Sequence, residues 1–184
     1  MGECKRVTHG GKISGMNDIS LAKATIRKDI LNLRSQMNHS SEALTSNLLE
    51  VVQLHKPKRV ATYVSYPSEP NTQDFIQRLV DQGIQVLVPE TSGNYELAWH
   101  DFIDNTEEHL ASGDLLFVPA LAVDRMGNRL GRGKGYFDRE LDDLAGVVVY
   151  AVVFDSEVLE SVPTEVHDRR VDGVVTQEQI LKIN

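Results

Sequence analysis

"RVATYVSYPSEPNTQDFIQRLVDQGIQVLVP", residues 59–89, decides the fold of this chain. The runs "RVATYVSY" and "IQVLVP" are typical of buried strands, because both are short, apolar and bounded by turn residues. Between them, "TQDFIQRLVDQG" predicts a helix capped by Thr72 and closed by Gly83. A strand, a helix and a strand in this order form a βαβ unit with parallel strands and a right-handed crossover. We therefore predict an α/β fold.

Helices and strands also alternate on both sides of this unit. One predicted helix begins at Ser20, and a second begins at Ser40 or Ser41 and ends before Pro57. Their apolar residues recur at helical spacing: Ile26, Ile30, Leu33 and Met37, then Leu44, Leu48, Val51 and Leu54. The later predicted elements are the strands "YELAWHDF" and "LLFVPALAV", the helix "YFDRELDDL", the strands "VVVYAVVF" and "VDGVVT", and a terminal helix "QEQILKI". The pattern predicts a three-layer αβα domain with a mainly parallel sheet.

The length and composition are those of one domain. The chain has 184 residues, of which 41% are hydrophobic and 25% charged, which suffices for one substantial core. Residues 16–184 contain no linker or repeat and are predicted to form this domain. Residues 1–15, "MGECKRVTHGGKISG", are polar and glycine-rich. We expect them to be a disordered extension, an alternative start or a cloning remnant.

The charge balance excludes a broad nucleic-acid or membrane surface. The net charge is −8, so an anion site must be a local concentration of cations. Residues 125–139 contain such a concentration: Arg125, Arg129, Arg132, Lys134 and Arg139. The one cysteine, Cys4, excludes an intramolecular disulfide and a cysteine-based zinc site, which fits a cytoplasmic protein. No apolar run reaches the length of a membrane span.

The segment "NRLGRGKGYFDREL", residues 128–141, has glycine at every second position from Gly131 to Gly135. Glycine lets a ligand approach the backbone closely. Backbone amides alternating with the cations Arg132 and Lys134 therefore favour an anion, usually a phosphate. We call residues 129–137 the glycine loop.

Two familiar phosphate motifs do not fit the glycine loop. A Walker loop would need glycine where Asn128 stands and a hydroxyl residue where Gly135 stands. The dinucleotide fingerprint would need a third glycine where Tyr136 stands, so the predicted fold is Rossmann-like without that fingerprint. An ordinary glycine-rich turn between a strand and a helix remains the alternative. In an α/β sheet, the loops "SYPSEPN" and "PTEVHDRR" are further candidate binding positions.

The segment "VPALAVDRMGNRLGRGKGYFDREL" resembles the signature of the 5-formyltetrahydrofolate cyclo-ligase family, also called methenyltetrahydrofolate synthetase. In addition, "AKATIRKDILNLR" is similar to the basic N-terminal helix of that family, "YVSYPSEPNT" to its substrate loop and "VPTEVHDRRVDGVVT" to its acidic C-terminal segment. The resemblance covers residues 20–176. The family often has Tyr-Tyr-Asp where this chain has Tyr136, Phe137 and Asp138, so one hydroxyl contact of the nucleotide site is in doubt.

The resemblance implies an ATP- and Mg²⁺-dependent ligase of folate and one-carbon metabolism. Transfer of the ATP γ-phosphoryl group to the formyl oxygen of 5-formyltetrahydrofolate creates a leaving group, and N10 then closes the ring. The products are 5,10-methenyltetrahydrofolate, ADP and phosphate. Such chemistry depends on alignment and charge stabilisation and needs no covalent protein nucleophile. The resemblance also implies a cytoplasmic protein, and we expect a monomer without nucleic-acid or membrane partners.

The resemblance assigns roles to individual residues. It implies ATP contacts at Lys23, Ala24, Thr25, Ile26 and Arg27, and at Arg129, Leu130, Gly131, Arg132, Gly133, Lys134, Gly135, Tyr136 and Phe137. It implies folate contacts at Val64, Glu69, Arg132, Gly133, Lys134, Gly135 and Tyr136. Arg132 and Lys134 are the predicted catalytic residues, through stabilisation of the transferring phosphoryl group. Asp138 and Asp172 are the predicted magnesium ligands, since magnesium needs only one or two protein carboxylates.

Each of these roles has a simpler alternative. Lys23 and Arg27, four residues apart, share one helix face that could be merely solvated, and the two aspartates could belong to a helix start and a turn. His167 beside Asp168 could be an acid/base pair, but the implied chemistry does not require one. Trp99 and His100 are interpreted as core and edge residues. The competing functions are a non-catalytic nucleotide-binding module, a nicotinamide-dependent oxidoreductase and an RNA-binding protein.

Overall fold

The computed structural model describes residues 14–35 (only the backbone of 14–17), 41–91, 97–141, 144–165 and 168–183. Its helices are α1 (Ser14–Arg34), α2 (Ser41–His55), α3 (Gln73–Asp81) and α4 (Tyr136–Glu140), with a 3-10 turn η1 (Asp155–Glu157). Its strands are β1 (Arg59–Thr62), β2 (Gln85–Thr91), β3 (Leu97–Asp101), β4 (Glu107–Glu108), β5 (Leu115–Pro119), β6 (Ala122–Asp124), β7 (Arg129–Leu130), β8 (Val148–Val152), β9 (Val158–Leu159), β10 (Gly173–Val175) and β11 (Ile180–Lys182).

A main sheet runs through the domain in the strand order β11-β10-β8-β5-β1-β2-β3-β4. Its central strands β10, β8, β5, β1 and β2 are parallel, whereas β11 at one edge and β3 and β4 at the other are antiparallel. The predicted βαβ unit is present as β1-α3-β2, with Val60 opposite Val86. The predicted α/β class with a mainly parallel sheet is confirmed.

The main sheet is covered on both faces. Leu115 and Phe117 of β5 pack with α2 and α3, whereas the alternate residues Leu116 and Val118 pack on the opposite face. Phe137 of α4 lies against that second face. The layers therefore follow the predicted αβα order.

A smaller sheet, β7-β6-β9, supports α1. Ile30 of α1 is buried against Leu121, Leu130 and Val162 of this smaller sheet and its loops. The chain enters β6 directly after β5, and the glycine loop begins with β7. Because they share this support, α1 and the glycine loop are held together.

The prediction of one strand over "LLFVPALAV" is wrong, because the chain leaves the main sheet at Pro119. Proline has no N–H group to continue the ladder. The following backbone groups find partners elsewhere: Ala120 O accepts from Arg34, and Leu121 N donates to Leu130 O at 2.7 Å. The strand predicted over "RVATYVSY" is also shorter than expected, since β1 ends at Thr62.

The predicted terminal helix "QEQILKI" is wrong as well, because this segment forms β11. β11 pairs antiparallel with β10, placing Leu181 opposite Val174. The hydroxyl of Thr176 accepts hydrogen bonds from the backbone N–H groups of Glu178 and Gln179, both at 3.0 Å, which closes a tight turn. A short apolar segment after such a turn gains more from an open sheet edge than from an isolated helix.

Helix starts agree with the sequence only in part. α1 begins at Ser14, so the predicted cap Ser20 lies inside the helix. A serine caps a helix only where the residues before it do not extend that helix. Ser14 and Gly15, which were expected to belong to the extension, are part of α1, while residues 1–13 lie outside the described residues. Thr72 precedes α3 as predicted, but its hydroxyl donates to Tyr63 O at 2.7 Å instead of capping the helix.

Other predicted positions agree or cannot be compared. α2 begins at Ser41 and ends at His55, ahead of Pro57. Met37 and Ser40 lie outside the described residues, as does His167, whose proposed pairing with Asp168 stays open. None of the helices in the described part of the chain combines the length and apolarity that a membrane crossing needs.

Gly173 of β10 is required by packing in the main sheet. A Cβ atom at this position would lie 2.1 Å from a ring carbon of Tyr150, its neighbour on β8. Tyr150 is buried, and its hydroxyl lies 3.0 Å from His55 Nε2 on α2. The glycine in "VDGVVT" therefore serves strand packing.

Candidate active site

The connections of the main sheet reverse direction between β1 and β5. In open α/β sheets, ligands bind at such a switch point, outside the carboxyl ends of the strands. The loop after β1 carries Glu69, and the chain after β5 leads into the glycine loop. Arg132 Nε donates to Glu69 Oε1 at 2.9 Å, so the structure brings together two of the loops that the sequence singled out.

Helix α1 presents a row of functional side chains towards the glycine loop. Lys23, Arg27, Ile30 and Arg34 lie three or four residues apart and so share one face. Arg27 Nε donates to Gly131 O at 2.9 Å. The end of the helix is fixed by Arg34, which makes two hydrogen bonds to Glu157, at 2.6 and 2.8 Å, and one to Ala120 O at 2.6 Å. The predicted shared face is therefore present and is turned towards the site.

A cleft of about 240 Å³ lies between α1, the glycine loop and the segment before β10. The described residues that line this cleft are Ser20, Lys23, Arg27, Arg129, Leu130, Gly131, Gly133, Gly135, Asp138, Glu165 and Asp168. The side chains Lys23, Arg27 and Arg129 are cationic, and Asp138, Glu165 and Asp168 are anionic. The cleft of the ligand-free protein is thus balanced in charge.

Arg129 is the most deeply buried cation of the cleft. Its side chain is 2% exposed, and Nη2 forms an ion pair with Asp138 Oδ1. Its Nε atom is buried and has no hydrogen-bond partner among the described residues. A buried donor without a partner is costly. Arg129 therefore combines a place in the lining of the cleft with a buried donor that lacks a partner among the described residues.

The glycines of the loop allow the two arginines to pack against bare backbone. A Cβ atom at Gly133 would lie 3.3 Å from Cζ of Arg27, and one at Gly131 would lie 3.2 Å from Nη1 of Arg129. Gly133 also has φ +93°, which side chains rarely adopt. Glycine at these two positions therefore makes room for the two arginine side chains.

Asp124 holds the turn that leads into the glycine loop. Its carboxylate accepts hydrogen bonds from the backbone N–H groups of Met126, Asn128 and Val162, and from Asn128 Nδ2. Burial raises the pKa of Asp124, but these hydrogen bonds outweigh burial and keep the pKa below its ordinary value. Asp124 therefore stays ionised and braces the base of the loop.

Lys23 is held by two carboxylates from the segment before β10. Its Nζ donates to Asp168 Oδ2 at 2.7 Å and to Glu165 Oε2 at 2.9 Å. Burial lowers the pKa of Lys23, but the hydrogen bonds to Asp168 and Glu165 outweigh burial and raise the pKa above the ordinary lysine value. Burial likewise raises the pKa of Asp168, and the hydrogen bond from Lys23 outweighs it and lowers that pKa. Lys23 and Asp168 are therefore both charged at neutral pH.

The two predicted magnesium ligands have different surroundings. Asp138 lines the cleft, and its side chain is 43% exposed. Asp172 lies at the amino ends of β8 and β10, where its Oδ2 accepts from Val149 N at 2.8 Å and its own N–H donates to Val149 O. Asp172 is absent from the described lining of the cleft, whereas Asp168 is present. The structure therefore brings Asp138 together with Asp168 and leaves Asp172 outside the cleft.

The predicted folate contacts lie around the loop after β1. Glu69 is buried, and its Oε2 accepts from Tyr66 N at 3.1 Å. Arg132 Nη2 donates to Ser68 Oγ at 3.1 Å. Val64, which the sequence placed in a buried strand, instead lies in the loop and is 47% exposed. A contact between Val64 and a ligand is therefore sterically open.

Some of the remaining predicted ATP contacts line the cleft and others do not. Leu130 and Gly135 line the cleft with the residues above, while Tyr136 and Phe137 begin α4. Lys134 is exposed and does not belong to the described lining of the cleft. On α1, Ala24 and Thr25 are exposed, with Thr25 Oγ1 donating to Leu21 O, and Ile26 packs on the cluster beneath the helix. All of the ATP contacts that the resemblance implies, on α1 and in the glycine loop, stay predictions.

Sequence reasoning missed three residues of the cleft: Ser20, Glu165 and Asp168. Ser20 could have been found as the residue three before Lys23 on the same helix face. Glu165 and Asp168 were within a loop noted as a candidate position, but their contact with Lys23 spans more than 140 residues of sequence. Only the folded chain identifies that pairing.

Comparison with known proteins identifies the family. The family model described as "5-formyltetrahydrofolate cyclo-ligase family" matches residues 19–104 and 102–177. The chain belongs to the 5-formyltetrahydrofolate cyclo-ligase family. The two matched ranges include α1 from residue 19 onwards, the glycine loop and the segment with Glu165 and Asp168. The predicted family and the predicted enzyme class, a cyclo-ligase, are confirmed.

Relatives of this cyclo-ligase chain occur in distant organisms. The 5-formyltetrahydrofolate cyclo-ligase of Mycolicibacterium smegmatis is 33% identical over 145 residues, which cover 66% of this chain and 75% of that protein. The mouse protein of the same name is 33% identical over 132 residues, covering 68% of this chain and 64% of the mouse protein. The NMR structure of Aquifex aeolicus 5,10-methenyltetrahydrofolate synthetase has a TM-score of 0.72 at 25% identity, covering 88% of this chain and 93% of that one.

Proposed function

We propose that the chain converts 5-formyltetrahydrofolate and MgATP to 5,10-methenyltetrahydrofolate, ADP and phosphate. The family assignment supports the cyclo-ligase activity. The observation that carries the ATP dependence is the convergence of Lys23, Arg27 and Arg129 on one cleft between α1, the glycine loop and the segment before β10. These cations match the charge of a phosphate chain.

The cleft fits the phosphates of ATP better than the whole nucleotide. Its volume of about 240 Å³ lies below the range of roughly 300–1,000 Å³ that is typical of small-molecule sites. The side chain of Arg129 and the glycines Gly131, Gly133 and Gly135 line this space. We assign the cleft to the polyphosphate and place the reacting γ-phosphoryl group towards Arg132, between the cleft and Glu69.

The proposed reaction proceeds in two steps. The formyl oxygen attacks the γ-phosphorus, so that an O–P bond forms and the bond to ADP breaks. N10 then attacks the formyl carbon, and phosphate leaves with the former formyl oxygen as N10 loses its proton. The protein aligns these groups and stabilises the charge on the transferring phosphoryl oxygens. Arg132 and Lys134 are the residues proposed for that stabilisation.

The folate side of the site rests on Glu69. A carboxylate can accept hydrogen bonds from the row of N–H donors on a pterin edge. Arg132 donates a hydrogen bond to one oxygen of Glu69, so the pterin would have to replace this partner. Arg132 then becomes available to phosphate oxygens. The exposed Val64 lies in the same loop and can contact the ring.

A magnesium ion bound with ATP would neutralise phosphate charge and polarise the γ-phosphoryl group. Asp138 and Asp168 fit this ion, because both line the cleft. Asp138 is paired with Arg129 and Asp168 with Lys23, and phosphate oxygens could bind these two cations in place of the aspartates. No group of three or more potential metal ligands occurs among the described residues, which agrees with an ion held mainly by phosphate and water. We therefore propose Asp138 with Asp168, in place of Asp172.

The purified protein is expected to form 5,10-methenyltetrahydrofolate only when 5-formyltetrahydrofolate, ATP and Mg²⁺ are all present. Ring closure creates a conjugated amidinium between N5 and N10, so the product is measured by its new long-wavelength absorption. ADP, measured separately, should appear in equal amount, because each cyclisation uses one phosphoryl transfer.

Omission of each component serves as the control for this experiment. A nucleotide-binding module would bind MgATP and form no methenyl product, and a nicotinamide-dependent enzyme would be indifferent to ATP. Folded protein that binds MgATP but forms no methenylfolate at any substrate ratio would contradict the proposed function.

Replacing Asp168 with asparagine is expected to raise the Mg²⁺ concentration for half-maximal activity by about tenfold, since one ligand charge is lost at nearly constant volume. Asp138→Asn should behave alike, and Asp172→Asn should leave the Mg²⁺ dependence unchanged. Glu165→Gln removes the other carboxylate partner of Lys23 and so separates effects on Lys23 from effects on the metal. If Asp172→Asn raises the Mg²⁺ concentration for half-maximal activity and Asp168→Asn does not, then Asp172 is the second magnesium ligand, as the resemblance implies.

The cellular setting remains a proposal. The composition, with one cysteine and a net charge of −8, suits a reducing compartment and gives no broad basic surface for nucleic acid. We propose a cytoplasmic monomer.

A further inference from the structure

Helix α4 connects the glycine loop to the main sheet and is too short to be stable by itself. It has five residues, Tyr136–Glu140, and none of them is fully buried. Isolated helices shorter than about 12–15 residues are marginal in water. α4 must therefore be stabilised as a helix by its contacts with the rest of the protein. The position of Asp138 in the cleft depends on this helix being formed.

One side chain from the main sheet supplies two of these contacts. Trp99 of β3 is 2% exposed, and its Nε1 donates to Glu140 Oε1 at 2.8 Å. The ring of Trp99 also lies 6.5 Å from the ring of Phe137, at an interplanar angle of 60°. Phe137 and Glu140 are three residues apart, so both lie on one face of α4. Trp99 thus contacts α4 near both ends.

The other side of α4 belongs to the cleft. Asp138 pairs with Arg129 there. The helix follows directly from Gly135, which has φ +72° and lines the cleft. A rotation or loss of α4 would therefore move Asp138 and the last glycine of the loop together.

We propose that Trp99 and Glu140 are positioning residues for the phosphate cleft: their hydrogen bond holds α4, and through α4 the glycine loop and Asp138, in the arrangement that binds MgATP. This inference rests on the proposed function for the identity of the ligand. Neither residue contacts the cleft itself among the described lining residues. Their effect on the nucleotide is therefore indirect.

The expected size of the effect follows from a population argument. If the nucleotide binds only when α4 is ordered, the apparent Kd equals the intrinsic Kd divided by the ordered fraction. Loss of one net hydrogen bond changes such an equilibrium by about fivefold to tenfold. While α4 is mainly ordered, this factor appears in full in local opening of the loop, and the apparent Kd rises by at most the same factor, because the Kd follows the ordered fraction.

Hydrogen exchange and calorimetry test this inference on the full-length protein. Trp99→Phe removes the N–H donor and keeps an aromatic ring, and Glu140→Leu removes the acceptor. In both variants, amide exchange across residues 131–141 of the ligand-free protein should be about fivefold to tenfold faster, and the Kd for MgADP should rise by at most that factor. Saturating MgADP should slow this exchange again, because it binds only the ordered state. Glu140→Gln keeps an acceptor oxygen, so its amide exchange rate and its Kd for MgADP should both stay close to those of the wild type.

Tyr150→Phe provides a matched control elsewhere in the sheet. It also removes a polar hydrogen from a buried aromatic, whose hydroxyl lies 3.0 Å from His55 Nε2, without contact to α4. It should leave both exchange across 131–141 and the MgADP affinity unchanged. Since Trp99 is the only tryptophan of the chain, its fluorescence should also change when MgADP binds to the wild type and to Glu140→Gln.

Three results would overturn the inference: unchanged exchange in Trp99→Phe and Glu140→Leu, exchange across residues 131–141 that saturating MgADP does not slow, or a loss of MgADP affinity in Tyr150→Phe as large as that in Trp99→Phe. Absence of MgADP binding by the wild type would instead contradict the proposed function. The exchange measurement distinguishes the two, because it needs no ligand.

Discussion

Replacing Arg129 with methionine is expected to lower kcat/KM for MgATP by about a thousandfold. Removal of one preorganised donor from a phosphoryl- or acyl-transfer site costs about 10²–10³ in rate. Arg129 is already dehydrated, with its side chain 2% exposed and its Nε unpartnered among the described residues, so it needs little reorganisation to bind phosphate. Its loss also leaves the charge of Asp138 without a partner in the cleft, which repels the phosphates.

Arg125→Met is the matched control for this prediction. It makes the same chemical change four residues away, on an exposed side chain outside the described lining of the cleft. Steady-state kinetics with either substrate varied should give near-normal constants for this control. In Arg129→Met, the folate KM should change far less than kcat/KM for MgATP. A folded Arg129→Met protein with kcat/KM within about tenfold of the wild type would remove Arg129 from the phosphate site.

Replacing Arg34 with methionine is expected to lower the free energy of unfolding by about 3–5 kcal/mol, because it leaves the buried carboxylate of Glu157 without its cation. The side chains of Arg34 and Glu157 are 1% and 4% exposed. Ala120 O also loses its donor. In a chain of this size each kcal/mol lowers the Tm by about 2–4 °C. Urea unfolding followed by circular dichroism measures the change.

The double variant Arg34→Met/Glu157→Met tests the physical reason. Buried ion pairs can be replaced by apolar side chains with little loss, because both desolvation penalties disappear together. We expect the double variant to recover part of the stability, although Phe154 N loses its acceptor Glu157 Oε2. A double variant less stable than Arg34→Met would show that Glu157 stabilises the fold mainly through its other hydrogen bonds.

The chemistry of the candidate site could be predicted wherever it is encoded within a few residues. The helical spacing of Lys23 and Arg27 placed both cations on one face, and that face lines the cleft. The alternation from Gly131 to Gly135 predicted a backbone open to an anion, and these glycines line the same cleft. Both patterns depend only on local backbone geometry.

The sequence could not predict which distant groups share the cleft. The resemblance pointed to Asp172 as the second metal ligand, but the start of β10 ties that residue to Val149, and Asp168 lines the cleft instead. These two aspartates are only four residues apart. Asp168 and Asp172 have different surroundings because the chain enters the main sheet between them. No local sequence pattern predicts that entry point.

By itself, the sequence determined the α/β class, the β1-α3-β2 unit, the glycine loop and the family, because periodicity and a long local motif are properties of neighbouring residues. The tertiary structure decided that the chain leaves the main sheet at Pro119, that its end adds β11, and that Lys23 meets Asp168. Those outcomes depend on partners that are far apart in the chain. Open strand edges, buried charges and unpaired backbone groups all need partners, and only the complete fold determines which partner each one finds.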